Sequence, residues 1–189
     1  FGMIATIAQG VLVDAILEFS PAHPKVELSM TDGFSGDLID AVALGQLDAA
    51  VINKPRRTLT LKSETIADED LLLVMGPAHA DVPASLSFSG MSALKLVFPT
   101  RRHGLRGIIE NFAEAEDVHL SPSLEIDSIS AILKLVRESD FCTLLPHVAV
   151  RGLLERAEVK VHRFVSPRLR RQIVAVTDPS RPLNPAAAA

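Results

Sequence analysis

Across the first 53 residues the apolar side chains recur with a helical spacing, then a strand spacing, then each again, and few folds accommodate that order. Leu12, Ala15, Ile16 and Phe19 stand at i, i+3, i+4 and i+7, which predicts an amphipathic helix over Thr6–Phe19 ended by "PAHP". Val26, Leu28 and Met30 then alternate with Glu27, Ser29 and Thr31, the period of a strand. Leu38, Ala41 and Val42 return to the helical stripe, with Ser35 placed as its N-cap and Gly45 as an αL cap. "LDAAVIN" follows as a buried strand, and Phe1-Gly2-Met3 reads as part of another. The order β-α-β-α-β implies parallel strands joined by crossover helices, the mark of an α/β fold.

The same style continues. "LTLKSETIAD" and "EDLLLVMG" read as two further strands, and a Pro/Ser-rich connection leads to a strand in "LKLVFPT". Leu105, Ile108, Ile109 and Phe112 predict a helix over 104–116, and "SLEID" a strand. Ile129, Ile132, Leu133 and Val136 are the expected buried face of a helix over 128–138. "FCTLLP" is a strand, 147–155 a helix, and "VKVHRFV" and "RRQIVAVTD" close as strands. Two α/β units result, dividing near Met75, and the last strand would pair well with the first unit.

Apolar residues make up 48% of the 189, ample for a packed core, yet no run approaches the roughly 18 that would span a membrane. The net charge of −4 leaves no basic footprint for gripping DNA, since Arg and Lys are scattered apart from Arg101-Arg102 with Arg106 and Arg168, Arg170 and Arg171. Any DNA-gripping part lies elsewhere. The single cysteine, Cys142, excludes an internal disulfide or a multi-cysteine metal site and reads as an inert buried thiol. The opening without an initiator Met, and the ending "RPLNPAAAA", where Asn184 and Pro185 read as N-cap and first residue of an interrupted helix, suggest an excised fragment.

Polar groups fall at the turns. Ala5-Thr6, Phe34-Ser35, "FPTRRHG" at 98–104 and Ile126-Asp127-Ser128 each stand at the C-terminal end of a strand or the N-terminal end of a helix, with Asn53-Lys54 as a fifth place. Ligands of open parallel sheets bind along that edge. Helix N-termini there offer unpaired N–H groups and a partial positive charge. Converging with Arg101 and His103, such turns would hold a small anion, most naturally a carboxylate. The plainer alternative makes Thr6, Ser35 and Ser128 helix caps, Arg101, Arg102 and Arg106 a solvated helix start, and His103 and His147 surface or capping residues. Catalytic signatures are missing: no G-x-S-x-G elbow, no phosphate loop, no H-E-x-x-H, and nothing local to activate a serine in a set such as Ser35, His103 and Asp127. Neither an enzyme, a cofactor nor a metal is expected.

Taken together, the opening 53 residues resemble the effector-binding domain of LysR-type transcriptional regulators, through Gly2, Thr6, Leu12, Phe19, Pro24-Lys25-Val26, Gly33, Ser35, Leu38, Gly45, Leu47 and Asp48. "LLLVMGPAHA", "FPTRRHGLRGIIENFAEA" and "EIDSISAILKLVRESDFCTLLP" extend the likeness over nearly the whole chain. The resemblance implies a type 2 periplasmic-binding-protein fold of two Rossmann-like subdomains joined by two crossover strands, residues 1–75 with 169–189 and residues 76–168. It implies an effector in the cleft, met by Thr6 and Ser35 with Asn53 nearby, by Thr100, Arg101 and His103 from the second subdomain, and by Asp127 and Thr143 behind them. It further implies a cytoplasmic regulator that acts as a homodimer or homotetramer and touches DNA only through an N-terminal winged helix-turn-helix. A transport solute-binding protein and an enzyme of the same fold are the rivals. One departure stands out: Glu138-Ser139-Asp140 occupies a turn where the family usually has glycine, so that turn, near the pocket wall at Thr143, is expected to be shaped differently.

Overall fold

The computed structural model describes residues 1–84, 86–164 and 166–181. The expected cap at Asn184-Pro185 lies outside them. The chain forms two units, one from Phe1–Asp68 plus the stretch beginning at Gln172, the other Glu69–Arg171. The divisions fall at 68/69 and 171/172, where the sequence suggested 75/76 and 168/169.

In the first unit β1 (Gly2–Ile4) leads directly into α1 (Ala5–Ala22), and β2 (Thr31–Gly33) into α2 (Ser35–Ala43), with β3 (Ala49–Asn53) after it. β1 is parallel to both β2 and β3, as the β-α-β-α-β order requires. β9 (Arg170–Thr177) runs antiparallel along β3, Ala49 facing Thr177 and Asn53 facing Ile173, so the last strand does join the first unit. Ile4, Leu38, Ile39, Val42, Ala50, Ile52, Leu61, Ile173, Val174 and Val176 form the core beneath this sheet. Gly2 is there for close packing: a Cβ would sit 2.7 Å from Leu38 Cδ2 and Leu47 Cδ1.

Three expectations need correction here. The alternation at Val26–Met30 does not form a strand; β2 begins at Thr31, opposite Gly2, and pairs only over the three residues of β1. The helix passes Phe19 and Ser20 and takes Pro21 into its last turn. Proline withholds the N–H that the carbonyl of Leu17 would accept, on a part of α1 where Leu17 is exposed. Ser35 does not cap α2. Phe34 is the N-cap residue and makes no side-chain cap bond.

The second unit opens inside β4 (Lys62–Met75), a single strand of 14 residues where the sequence suggested two. Its exposure changes along its length, polar and open as far as Asp68, buried from Leu71 to Met75. That change in burial, not a turn, explains the break in hydrophobic pattern. β7 (Cys142–Pro146) and β8 (Lys160–His162) lie antiparallel to its buried part. A 3-10 turn over Ser89–Ala93 occupies the Pro/Ser-rich connection and buries Met91. β5 (Val97–Phe98) pairs in parallel with β6 (Leu124–Glu125), and α3 (Gly104–Ala115), α4 (Ile129–Glu138) and α5 (His147–Glu155) complete the unit. Ile129, Ile132, Leu133 and Val136 are all buried on α4, as their spacing predicts.

The turn without glycine is shaped by a serine. Ser139 ends α4 in an extended conformation, its hydroxyl donating to the Leu135 carbonyl at 2.5 Å and accepting from the Phe141 amide at 3.3 Å. No left-handed residue is needed, so none is supplied.

Candidate functional site

Each unit contributes its own set of polar groups. In the first, Thr6 occupies the second position of α1 and is fully buried. Ser35 is the first residue of α2, and its Oγ is buried with no hydrogen-bond partner among the described residues. The backbone amides of Ser35, Gly36 and Asp37 precede the first intrahelical bond, Leu38 N–H to the Phe34 carbonyl at 3.0 Å, and so remain available. Gly36 is exposed, and a side chain there would meet no atom within 4 Å. Asn53, ending β3, is buried. Lys54 beyond it turns away, its Nζ donating to Gln172 Oε1 at 2.8 Å.

In the second unit the end of β5 continues through Pro99 and Thr100 into a tight turn, where the His103 amide donates to the Thr100 carbonyl at 3.0 Å. His103 caps α3: its Nδ1 accepts from the Leu105 amide at 3.2 Å. An accepting Nδ1 puts the ring proton on Nε2. Burial holds the imidazole below its ordinary range, with Asp127 pulling the other way and Arg171 reinforcing the shift. Asp127 fixes the turn from below by accepting the Thr100 amide at 3.0 Å. Thr100 Oγ1 and, on β7, Thr143 Oγ1 are buried without a hydrogen-bond partner among the described residues. Ser128 is a true N-cap, its Oγ accepting from the Ala131 amide at 3.3 Å.

The arginines divide differently from the sequence reading. Arg101, expected at the ligand, has an 81% exposed side chain that pairs with Glu110 at 3.3 Å. Arg106, which the plainer alternative placed in a solvated helix start, is only 4% exposed. Its guanidinium donates to the Pro99 carbonyl (3.0 Å), Glu125 (2.8 Å) and Glu110 (2.9 Å), joining the end of β5 to β6 and α3. Arg171 was read from the sequence only as part of a basic cluster with Arg168 and Arg170. It is buried and grips Glu69 Oε2 through Nε (2.9 Å) and Nη2 (2.6 Å). The signal was available, since Arg171 stands two residues before the buried Ile173 on β9 and so shares its face.

Hydroxyls and helix amides suit oxygen-rich ligands, while no base reaches Ser35 Oγ among the described residues. Cys142 is buried, its thiol is pushed up to about 11 by that burial, and its Sγ lies 3.3 Å from His79 Nε2. Among the described residues no cluster of three or more His, Cys, Asp or Glu could hold a metal, and no helix is long and apolar enough to cross a membrane.

Comparison with known proteins decides the family. The sequence model of the LysR substrate binding domain matches residues 1–189. The chain belongs to the LysR substrate-binding domain family. Members have the type 2 periplasmic-binding-protein fold, and solved LysR-type domains superpose accordingly. The reduced regulatory domain of OxyR2 from Vibrio vulnificus gives a TM-score of 0.82 at 20% identity, covering 95% of this chain and 85% of that one. The effector-binding domain of QuiR in complex with shikimate gives 0.83 at 17% identity, covering 99% and 90%. In sequence, the HTH-type transcriptional regulator EstR of Acinetobacter baylyi is 24% identical over 184 residues, 97% of this chain. The chain spans 61% of the length of that LysR-type relative.

Proposed function

We propose that this domain is the ligand-sensing part of a bacterial LysR-type transcriptional regulator, and that it binds a small carboxylate-bearing effector without transforming it. The observation that carries the reading is that each unit holds buried hydroxyls without a hydrogen-bond partner among the described residues, Ser35 Oγ in the first and Thr100 Oγ1 and Thr143 Oγ1 in the second. A buried polar group left unsatisfied costs about 1–3 kcal/mol, and oxygen atoms of a ligand would remove that cost. Amides at the start of α2 favour the negative end of such a ligand. Thr6, Ser35 and Asn53 serve from the first unit, and Thr100, His103, Asp127 and Thr143 from the second. Arg101, exposed and paired with Glu110, is the remaining residue of the proposed set.

Binding changes transcription only as far as the effector prefers one arrangement of the regulator over another. In this reading the response passes through a homodimer or homotetramer in the cytoplasm, and DNA is contacted by a separate helix-turn-helix part of the longer protein. Membership of a family of regulators supports it, as does the lack of any activated nucleophile among the described residues.

Thermal-shift screening of hydroxylated and aromatic carboxylates and amino acids, with shikimate as the first probe, tests the proposal. A ligand at 100 times its dissociation constant should stabilise the fold by about 2.7 kcal/mol. Ser35→Ala and Thr143→Val should each remove most of that gain without lowering the stability of the ligand-free protein, because each deletes an unsatisfied hydroxyl. Variants that respond like the wild type would place the effector elsewhere.

A further inference from the structure

α5 starts without a cap of its own. Its N-cap residue is Pro146, the last residue of a fully buried strand, and it has no side-chain acceptor. The acceptor comes from β4. Antiparallel pairing sets Leu71 against Pro146, so two residues earlier on β4 the chain passes the first turn of α5. Glu69 stands there, and its Oε1 accepts from the Val148 amide at 3.3 Å. The other oxygen, Oε2, receives both Nε and Nη2 of Arg171. Glu69 is 17% exposed at its side chain and Arg171 fully buried.

We propose that Glu69 is a positioning residue that clamps Arg171 to the start of α5 and thereby fixes the charge beside His103. A carboxylate suits both partners, because the helix start carries a partial positive charge and a buried guanidinium needs a counter-ion. Asp127 supplies the opposite charge on His103 and at the same time holds the Thr100 amide. Glu69, Arg171 and the Val148 amide thus form one hydrogen-bonded group and Asp127 with the Thr100 amide another, and the charges of both act on His103. The meaning of these groups for effector binding rests on the function proposed above, whereas their existence does not, and the test needs no ligand.

The experiment is a pH titration of the His103 imidazole by NMR in isotope-labelled protein, its signal assigned by loss in His103→Gln, together with amide exchange at Val148. In Glu69→Gln the uncompensated Arg171 charge should push the His103 midpoint to lower pH, and Val148 should exchange severalfold faster, because a neutral amide oxygen replaces a charged acceptor. In Arg171→Gln the midpoint should move the other way, upward by about half a pH unit or more, while Val148 stays protected because Glu69 remains. A folded Glu69→Gln protein with both readouts unchanged overturns the proposal. Should Glu69→Gln fail to fold, an unmoved His103 midpoint in Arg171→Gln overturns it equally.

Discussion

Arg106 and Arg101 lie five residues apart and bind the same glutamate, yet their environments give them different worth. Arg101 is exposed, so its ion pair with Glu110 is screened and worth about 0–1 kcal/mol. Arg106 is buried, and its removal strands the Pro99 carbonyl and empties the space over the Phe98 ring, 5.6 Å from the guanidinium carbon. Its carboxylate partners, about two-fifths exposed, regain water, which moderates the loss. Arg106→Ala should therefore cost about 2–3 kcal/mol in urea unfolding, and Arg101→Ala less than about 0.5 kcal/mol. His103 offers a second measurement at this scale. Its folded midpoint lies below the ordinary 6.5, so near and below that pH the unfolded chain binds a proton that the folded protein refuses. Stability should fall as the pH drops from about 7 toward the lower folded midpoint, and His103→Gln should flatten that part of the profile. Sequence spacing revealed which of these side chains sit at turns. It could not show that Arg106 points inward and Arg101 outward, because both precede or open the same helix and only the third dimension separates them.

Helix ends show where local sequence suffices and where it fails. Ser128 caps α4 through its own hydroxyl, a bond between neighbours three residues apart, and sequence pattern is enough to find it. α2 is closed from a distance instead. Gly45 takes the left-handed conformation, φ +73°, just after the helix. The Arg181 guanidinium, held by Asp178 at 2.7 Å, donates from Nη2 to the carbonyls of Val42 and Ala43. A Cβ at Gly45 would collide with that guanidinium. Gly45→Ala should thus combine about 1–2 kcal/mol of backbone strain with the loss of the arginine cap, for a total of about 2–3 kcal/mol by thermal or urea unfolding. Glycine at 45 was legible from the sequence, whereas Arg181, 136 residues later, was not. Strand lengths behave likewise: apolar alternation at 26–30 is genuine, but a strand forms only where another strand lies alongside, and that is decided by topology.

The chain enters its second unit within β4 and leaves it within β9, so the first unit is built from two separated stretches of sequence. The later stretch is not an ornament. Ile173, Val174 and Val176 are buried members of the first unit's core, and five residues of β9 pair with β3 from Ala49 to Asn53. Burying three such side chains contributes on the order of 6 kcal/mol at about 2 kcal/mol each, comparable with the whole stability of many domains, about 5–15 kcal/mol. A chain ended after Arg171 should consequently lose the first unit: amides of Gly2–Ile4 and Ala49–Asn53 should exchange freely, while those of Leu71–Met75, paired with β7 and β8 inside the second unit, keep their protection. Ser35 and Thr6 would lose their placement with the sheet that carries them, and any ligand response depending on them should vanish in the same truncated protein. Persistent protection of β3 in that protein would mean that β1, β2 and the two helices hold the first unit alone, and that the returning strand serves only to carry the chain back.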